Sequence, residues 1–124
     1  MNILVAICQV VVALGLLNVW LLRFSRATAY RGGAAANMRE EFAAYGLPAW
    51  SCLVVGALKV GAAACLLAGL AFPPIVLPAA VVVAILMVGA IAMHVKIGDP
   101  FGKSVPALVV LALTLVICAG HLTA

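Results

Sequence analysis

Four apolar runs of roughly twenty residues each decide what this chain can become, because a run of that length crosses the hydrocarbon core of a bilayer as one helix. They lie at Ile3–Leu22, Ala49–Ala71, Ile75–Val95 and Val105–His121. A soluble domain carries roughly a quarter charged residues. Here 8% of 124 residues are charged and 69% are hydrophobic, so too little polar surface exists to cover a water-soluble core. No ten-residue alternation of the kind that marks a membrane strand competes, and helices must then satisfy the backbone. The expected fold is all-α. It is an integral membrane four-helix bundle of up-down topology, a single domain over residues 1–124, with a short interfacial helix in its first cytoplasmic loop.

The ends and loops set the direction. Met1-Asn2-Ile3 offers no basic stretch and the first run reaches Arg23 without a small-residue cleavage site, so it reads as a retained span. Its helix is expected to run on to Tyr30, where Gly32-Gly33 supplies the stop. Asn37 is placed to cap a short helix to Tyr45, with Glu40 reaching back, and Met38, Phe42 and Tyr45 form an apolar stripe suited to the membrane surface. Phe72-Pro73-Pro74 folds spans two and three into a hairpin, and Pro106 opens the fourth. The two loops Arg23–Pro48 and Lys96–Ser104 hold six of the seven basic residues. The positive-inside rule puts them in the cytoplasm and both termini outside a cell inner (plasma) membrane. The basic surplus is a topology signal rather than a nucleic-acid footprint, since no basic face with interleaved aromatics exists.

Within the spans, polar residues stand out one by one. Lys59 is central in its run, where a charge costs about 2.5–3.5 kcal/mol on insertion scales, so it marks a function or a packing partner. Gln9 and Thr114, at similar depth, are its expected hydrogen-bond partners, and Met87 stands opposite across the hairpin. Cys52, Gly56, Lys59 and Ala63 share a face. His94 and Asn18 lie near the cytoplasmic helix ends, where His94 is expected to bond groups of the loop bearing Asp99. Asn18 and Gln9 are out of phase, and one of them is available to a second subunit. Glu40 or Glu41 is expected to pair with Arg23 or Arg26. Cys8, Cys52, Cys65 and Cys118 form no C-x-x-C and read as small packing residues. No cofactor motif and no metal-ligand set is present. Small residues at Ala57-x-x-x-Gly61 and Ala64-x-x-x-Ala68 give the second span a face for close helix approach.

The order Glu41-Phe42-x-x-Tyr45-Gly46-Leu47-Pro48-x-Trp50, then Val55-Gly56-Ala57-Leu58-Lys59-x-Gly61-Ala62, Leu66-Leu67-Ala68-Gly69, Met87-x-Gly89-Ala90 through His94, and Asp99-Pro100, resembles the DoxX-like family of small four-helix membrane proteins. The resemblance covers nearly the whole chain. It implies the fold and a bacterial source but no reaction: the family is named for a subunit linked to a thiosulfate–quinone oxidoreductase, and wider relatives include receptor-assembly chaperones. It marks Lys59, Gly61, His94 and Asp99 as motif positions.

Two functions fit. In the first, the bundle holds a hydrophobic small molecule (a quinone, isoprenoid or other lipid-like ligand) against Asn18, Gly56, Lys59, Met87, Gly89 and His94. Lys59, His94 and Asp99 are then the candidates for redox or acid/base chemistry. In the second, the chain is a non-catalytic assembly or chaperone-like partner of another membrane protein, or a homo-oligomer, docking through the small residues of span two together with the surface helix Asn37–Tyr45. Beyond these, the expected partner is the lipid bilayer.

Overall fold

A computed structural model describes residues 2–25 and 30–123. Helix α1 spans Ile3–Leu17, opened by Asn2, whose side-chain oxygen accepts the Leu4 and Val5 amides. It continues through a π-helical turn, Asn18–Leu22. Helix α2 is the short Met38–Ala44, α3 runs Ala49–Ala68, α4 Val76–Lys96 and α5 Val105–Leu122. Short 3-10 turns, Pro73–Ile75 and Phe101–Ser104, lead into α4 and α5. Four of these helical stretches are long and apolar enough to cross a membrane, and no strand occurs among the described residues.

Each long helix packs on its two sequence neighbours and α1 closes the ring against α5, so α1 and α4 stand on one diagonal and α3 and α5 on the other. Leu66, Ile117, Val12, Val76 and Val83 fill the centre with almost no exposure. Gln9 pins the terminal end of this core. Its Nε2 donates to the Leu66 carbonyl at 3.0 Å, and its Oε1 lies 3.2 Å from His121 Nε2. The Leu66 carbonyl is available because the Leu70 amide turns to Leu67 instead. Gln9 is therefore spent inside the chain and does not face a second subunit.

The first helix stops earlier than expected. The Arg23 amide bonds the Asn18 carbonyl, an i to i+5 closure, and Arg23 itself leaves helical geometry. The stretch Arg26–Ala29, where continuation to Tyr30 was expected, lies outside the described residues. Helix α3 ends at Ala68 rather than Ala71, capped at Gly69, because the hairpin brings α4 in close: a Cβ on Gly69 would stand 2.1 Å from Val76 Cγ2. Helix α2 begins as expected, with Asn37 Oδ1 accepting the Glu40 amide at 2.9 Å, while Glu40 reaches one residue further back to the Ala36 amide. Its apolar stripe does not lie on lipid. Met38, Phe42 and Tyr45 are buried, the first two packed with Trp20 and Cys52 at the bundle end.

The small-residue pattern of α3 also faces differently. Ala57, Gly61, Ala64 and Ala68 are exposed, and the inward face carries Cys52, Gly56, Ala63 and Leu66. Gly56 is where close approach matters: a Cβ there would stand 2.7 Å from the Trp20 ring, whereas at Gly61 it would meet nothing within 4 Å. Overpacking of this kind costs about 1–3 kcal/mol. Gly56→Val is expected to destabilise the bundle by about that amount in detergent-micelle unfolding, and Gly61→Ala by no more than about 0.5 kcal/mol.

Candidate functional site

The two charged loops meet at one end of the bundle, and buried carboxylates join them. Glu41 sits on α2 between Met38 and Phe42, on the buried side of that helix. A carboxylate held there needs donors on both oxygens. Arg31 Nη1 donates to Oε2 at 3.0 Å, while the Gly32 amide and the Tyr45 hydroxyl donate to Oε1 at 2.9 and 2.8 Å. Arg31 also donates to the carbonyls of Arg23 and Phe24, which fastens the loop to the end of α1. Burial first, then the bond to Glu41, pushes the Tyr45 hydroxyl well above its usual pKa, so it remains a donor.

A second carboxylate repeats the pattern. His94 Nδ1 lies 2.7 Å from Asp99 Oδ2, and the Gly33 amide donates to Oδ1 at 3.0 Å. Lys103 stands 3.8 Å from Asp99 and donates to the Gly33 carbonyl at 2.7 Å. Burial acts to raise the Asp99 carboxyl, but the bonds from His94 and Gly33 and the charges of Lys103 and His94 outweigh it and hold it below its ordinary range. With Asp99 ionised, His94 Nδ1 is the donor of the bond between them. His94 Nε2 stands 3.4 Å from the Tyr45 hydroxyl, with the two rings edge to face at 5.7 Å. Arg31, Glu41, Tyr45, His94 and Asp99 thus form one connected polar chain.

Gly32 and Gly33 belong to this network and do not end a helix. Gly33 has φ +56°, and a Cβ on Gly32 would stand 2.6 Å from the Tyr45 ring. Glu41 pairs with Arg31 rather than with Arg23, because α2 is turned inward; Arg26 lies outside the described residues.

Behind the network a cleft of about 970 Å³ enters the bundle. Asn18, Lys59, Met87, Gly89 and His94 line it, along with Trp20, Tyr45 and apolar wall residues such as Leu16, Val55 and Val110. Gly56 does not, since Trp20 fills the space it leaves. Asp99 acts behind His94 rather than in the wall. Lys59 does not bond Gln9 or Thr114: Gln9 is held by Leu66 and His121, and Thr114 bonds the Val110 carbonyl one turn back on its own helix. Its ammonium lies over the Trp20 ring instead, 5.2 Å from the centroid. Trp20 is itself buried against Phe24 and Phe42, and its Nε1 has no hydrogen-bond partner. Leaving a buried donor unmet costs about 1–3 kcal/mol.

The cysteines are free thiols, and among the described residues no cluster of three His, Cys, Asp or Glu side chains forms a metal set. Trp20 was legible as the next inward position after Val12 and Leu16, and Glu41 as a carboxylate on the stripe of Met38, Phe42 and Tyr45. The residue type of Glu41 points to an ion pair, as found with Arg31, whereas nothing about Trp20 as a residue type points to the cleft.

Because the folded pKa of Asp99 is depressed, its stabilisation is full above the unfolded value of about 3.9 and fades as pH falls below it. The thermal stability advantage of wild type over Asp99→Asn is expected to be constant from neutral pH down to about pH 4 and to shrink below it. Unfolding scans at stepped pH measure it.

A family model described as the DoxX-like family matches residues 7–117. Comparison with curated proteins and with solved structures gives no match.

Proposed function

Since the chain belongs to the DoxX-like family of multi-pass membrane proteins, a family that fixes a fold without fixing a reaction, we propose that it binds a hydrophobic, lipid-like small molecule inside the bundle. The observation that carries this is the cleft of about 970 Å³, apolar along its walls and polar at Lys59, Trp20 and His94. That combination of apolar body and few convergent polar groups is how proteins hold amphipathic ligands. A quinone, an isoprenoid or another lipid fits the description.

The same site supports acid/base chemistry at its inner end. Asp99 holds His94 by Nδ1, and a proton taken up at Nε2 is shared with the Tyr45 oxygen, whose own proton is given to Glu41. His94 is the acid/base group in this reading, Asp99 its positioning partner, and Lys59 a donor to the ligand. We place the charged loops in the cytoplasm and the termini outside, on the asymmetry of Lys and Arg. The assembly-partner alternative has only the outward stripe of Ala57, Gly61, Ala64 and Ala68 behind it, a pattern that lipid-facing helices carry without any partner.

Gly15 and Gly89 line the cleft, and a Cβ on either meets nothing within 4 Å, so a side chain there starts out in open space. The double variant Gly15→Leu/Gly89→Leu is expected to fold normally yet retain about tenfold less of whatever lipid-like molecule co-purifies with wild type. Lipid extraction and mass spectrometry read this directly. Equal content in both proteins contradicts the reading.

A further inference from the structure

Building on that reading of the cleft, we infer that its occupant is an anionic amphiphile whose acid oxygens are held by Lys59 Nζ. The first ground is the kind of group on offer. An ammonium only donates, and the Trp20 ring face that Lys59 rests over supplies no hydrogen-bond acceptor. The group that completes it is therefore an acceptor.

The second ground is charge. The charged side chains in the wall are Arg23, Arg31, Glu41, Lys59 and Lys103. Arg31 is paired with Glu41 at 3.0 Å and Lys103 with Asp99 at 3.8 Å. What remains is Arg23 and Lys59, and neither has a carboxylate within salt-bridge distance among the described residues. Lys59 instead rests over an aromatic face, with apolar neighbours such as Val55, Leu86 and Met87 in the same wall. A neutral carbonyl, such as that of a quinone, accepts a hydrogen bond from Lys59 but leaves the ammonium's charge uncompensated in a low-dielectric cleft. An acid headgroup compensates it. The walls then take its aliphatic or isoprenoid tail. Carboxylate and phosphate share this chemistry.

The test uses the full chain with Trp50→Phe. Trp50 is 65% exposed and outside the cleft, and its removal leaves Trp20 as the single tryptophan. In phosphatidylcholine nanodiscs, Trp20 emission is followed on titration with oleate, oleyl phosphate, methyl oleate and decyl-ubiquinone. A saturable response to oleate or oleyl phosphate at least about tenfold tighter than to methyl oleate supports the inference, and the tighter of the two acids identifies the headgroup. Lys59→Met is expected to bring the acids down to the level of the ester, and Lys59→Arg to keep the preference. If the Lys59 variants do not fold, the acid-over-ester preference of the Trp50→Phe chain decides alone. Equal binding of methyl oleate and oleate, or tighter binding of decyl-ubiquinone, overturns the anionic assignment and leaves the cleft reading standing. No saturable response to any of the four probes overturns both.

Discussion

A carboxylate placed on the apolar side of a helix must be met by donors on every open lone pair, or it does not stay there as an ion. Glu41 is in that position, and the charged end of the molecule is arranged around it. Arg31, the Gly32 amide and Tyr45 all turn inward to reach it. Asp99 imposes the same demand from the other loop, met by His94 and the Gly33 amide. Because Gly32 and Gly33 are adjacent and serve different carboxylates, satisfying both fixes the first loop against the second. The inward set of α2 and the orientation of the His94 ring follow from that closure.

The network is self-sufficient, and this gives the cleft its character. Arg31 and Lys103 are spent on Glu41 and Asp99. Deeper in the bundle, the Lys59 ammonium and the Trp20 N–H are not matched in this way. Polar groups closed on one another build a rigid floor, whereas donors without acceptors mark a place where something else completes the pairing. His94 connects the two regions, with Asp99 behind it and the cleft in front.

The spans were legible because bilayer thickness and backbone hydrogen bonding leave few choices for a chain this apolar. The cap at Asn37 and the hairpin at Pro73-Pro74 were legible for local reasons, a side-chain acceptor and a missing donor. Side-chain partners at depth were not. Gln9 was expected near Lys59, but the orphan carbonyl of Leu66 competes for it, and which carbonyls a helix end leaves open is decided by the turn that follows. Small residues occur on two sides of α3: Cys52, Gly56 and Ala63 turn inward on the face they share, while the close-approach stripe of Ala57, Gly61, Ala64 and Ala68 faces outward. Only the bulk of Trp20 opposite Gly56 selects between them. Glu41 and Tyr45, by contrast, stood in the very run that carries the family resemblance. Their pairing was open to inference from i, i+4 spacing on a buried stripe.

Amide hydrogen exchange at single-residue resolution tests the closure of the two loops most directly. Gly32 and Gly33 lie outside any helix, where free amides exchange quickly, yet each donates to a carboxylate. Both amides are expected to exchange far more slowly than those of an unstructured peptide, with Asp99→Ala releasing Gly33 before Gly32 and Glu41→Ala the reverse. Exchange of both glycines at the free-peptide rate in the unaltered protein would contradict the account.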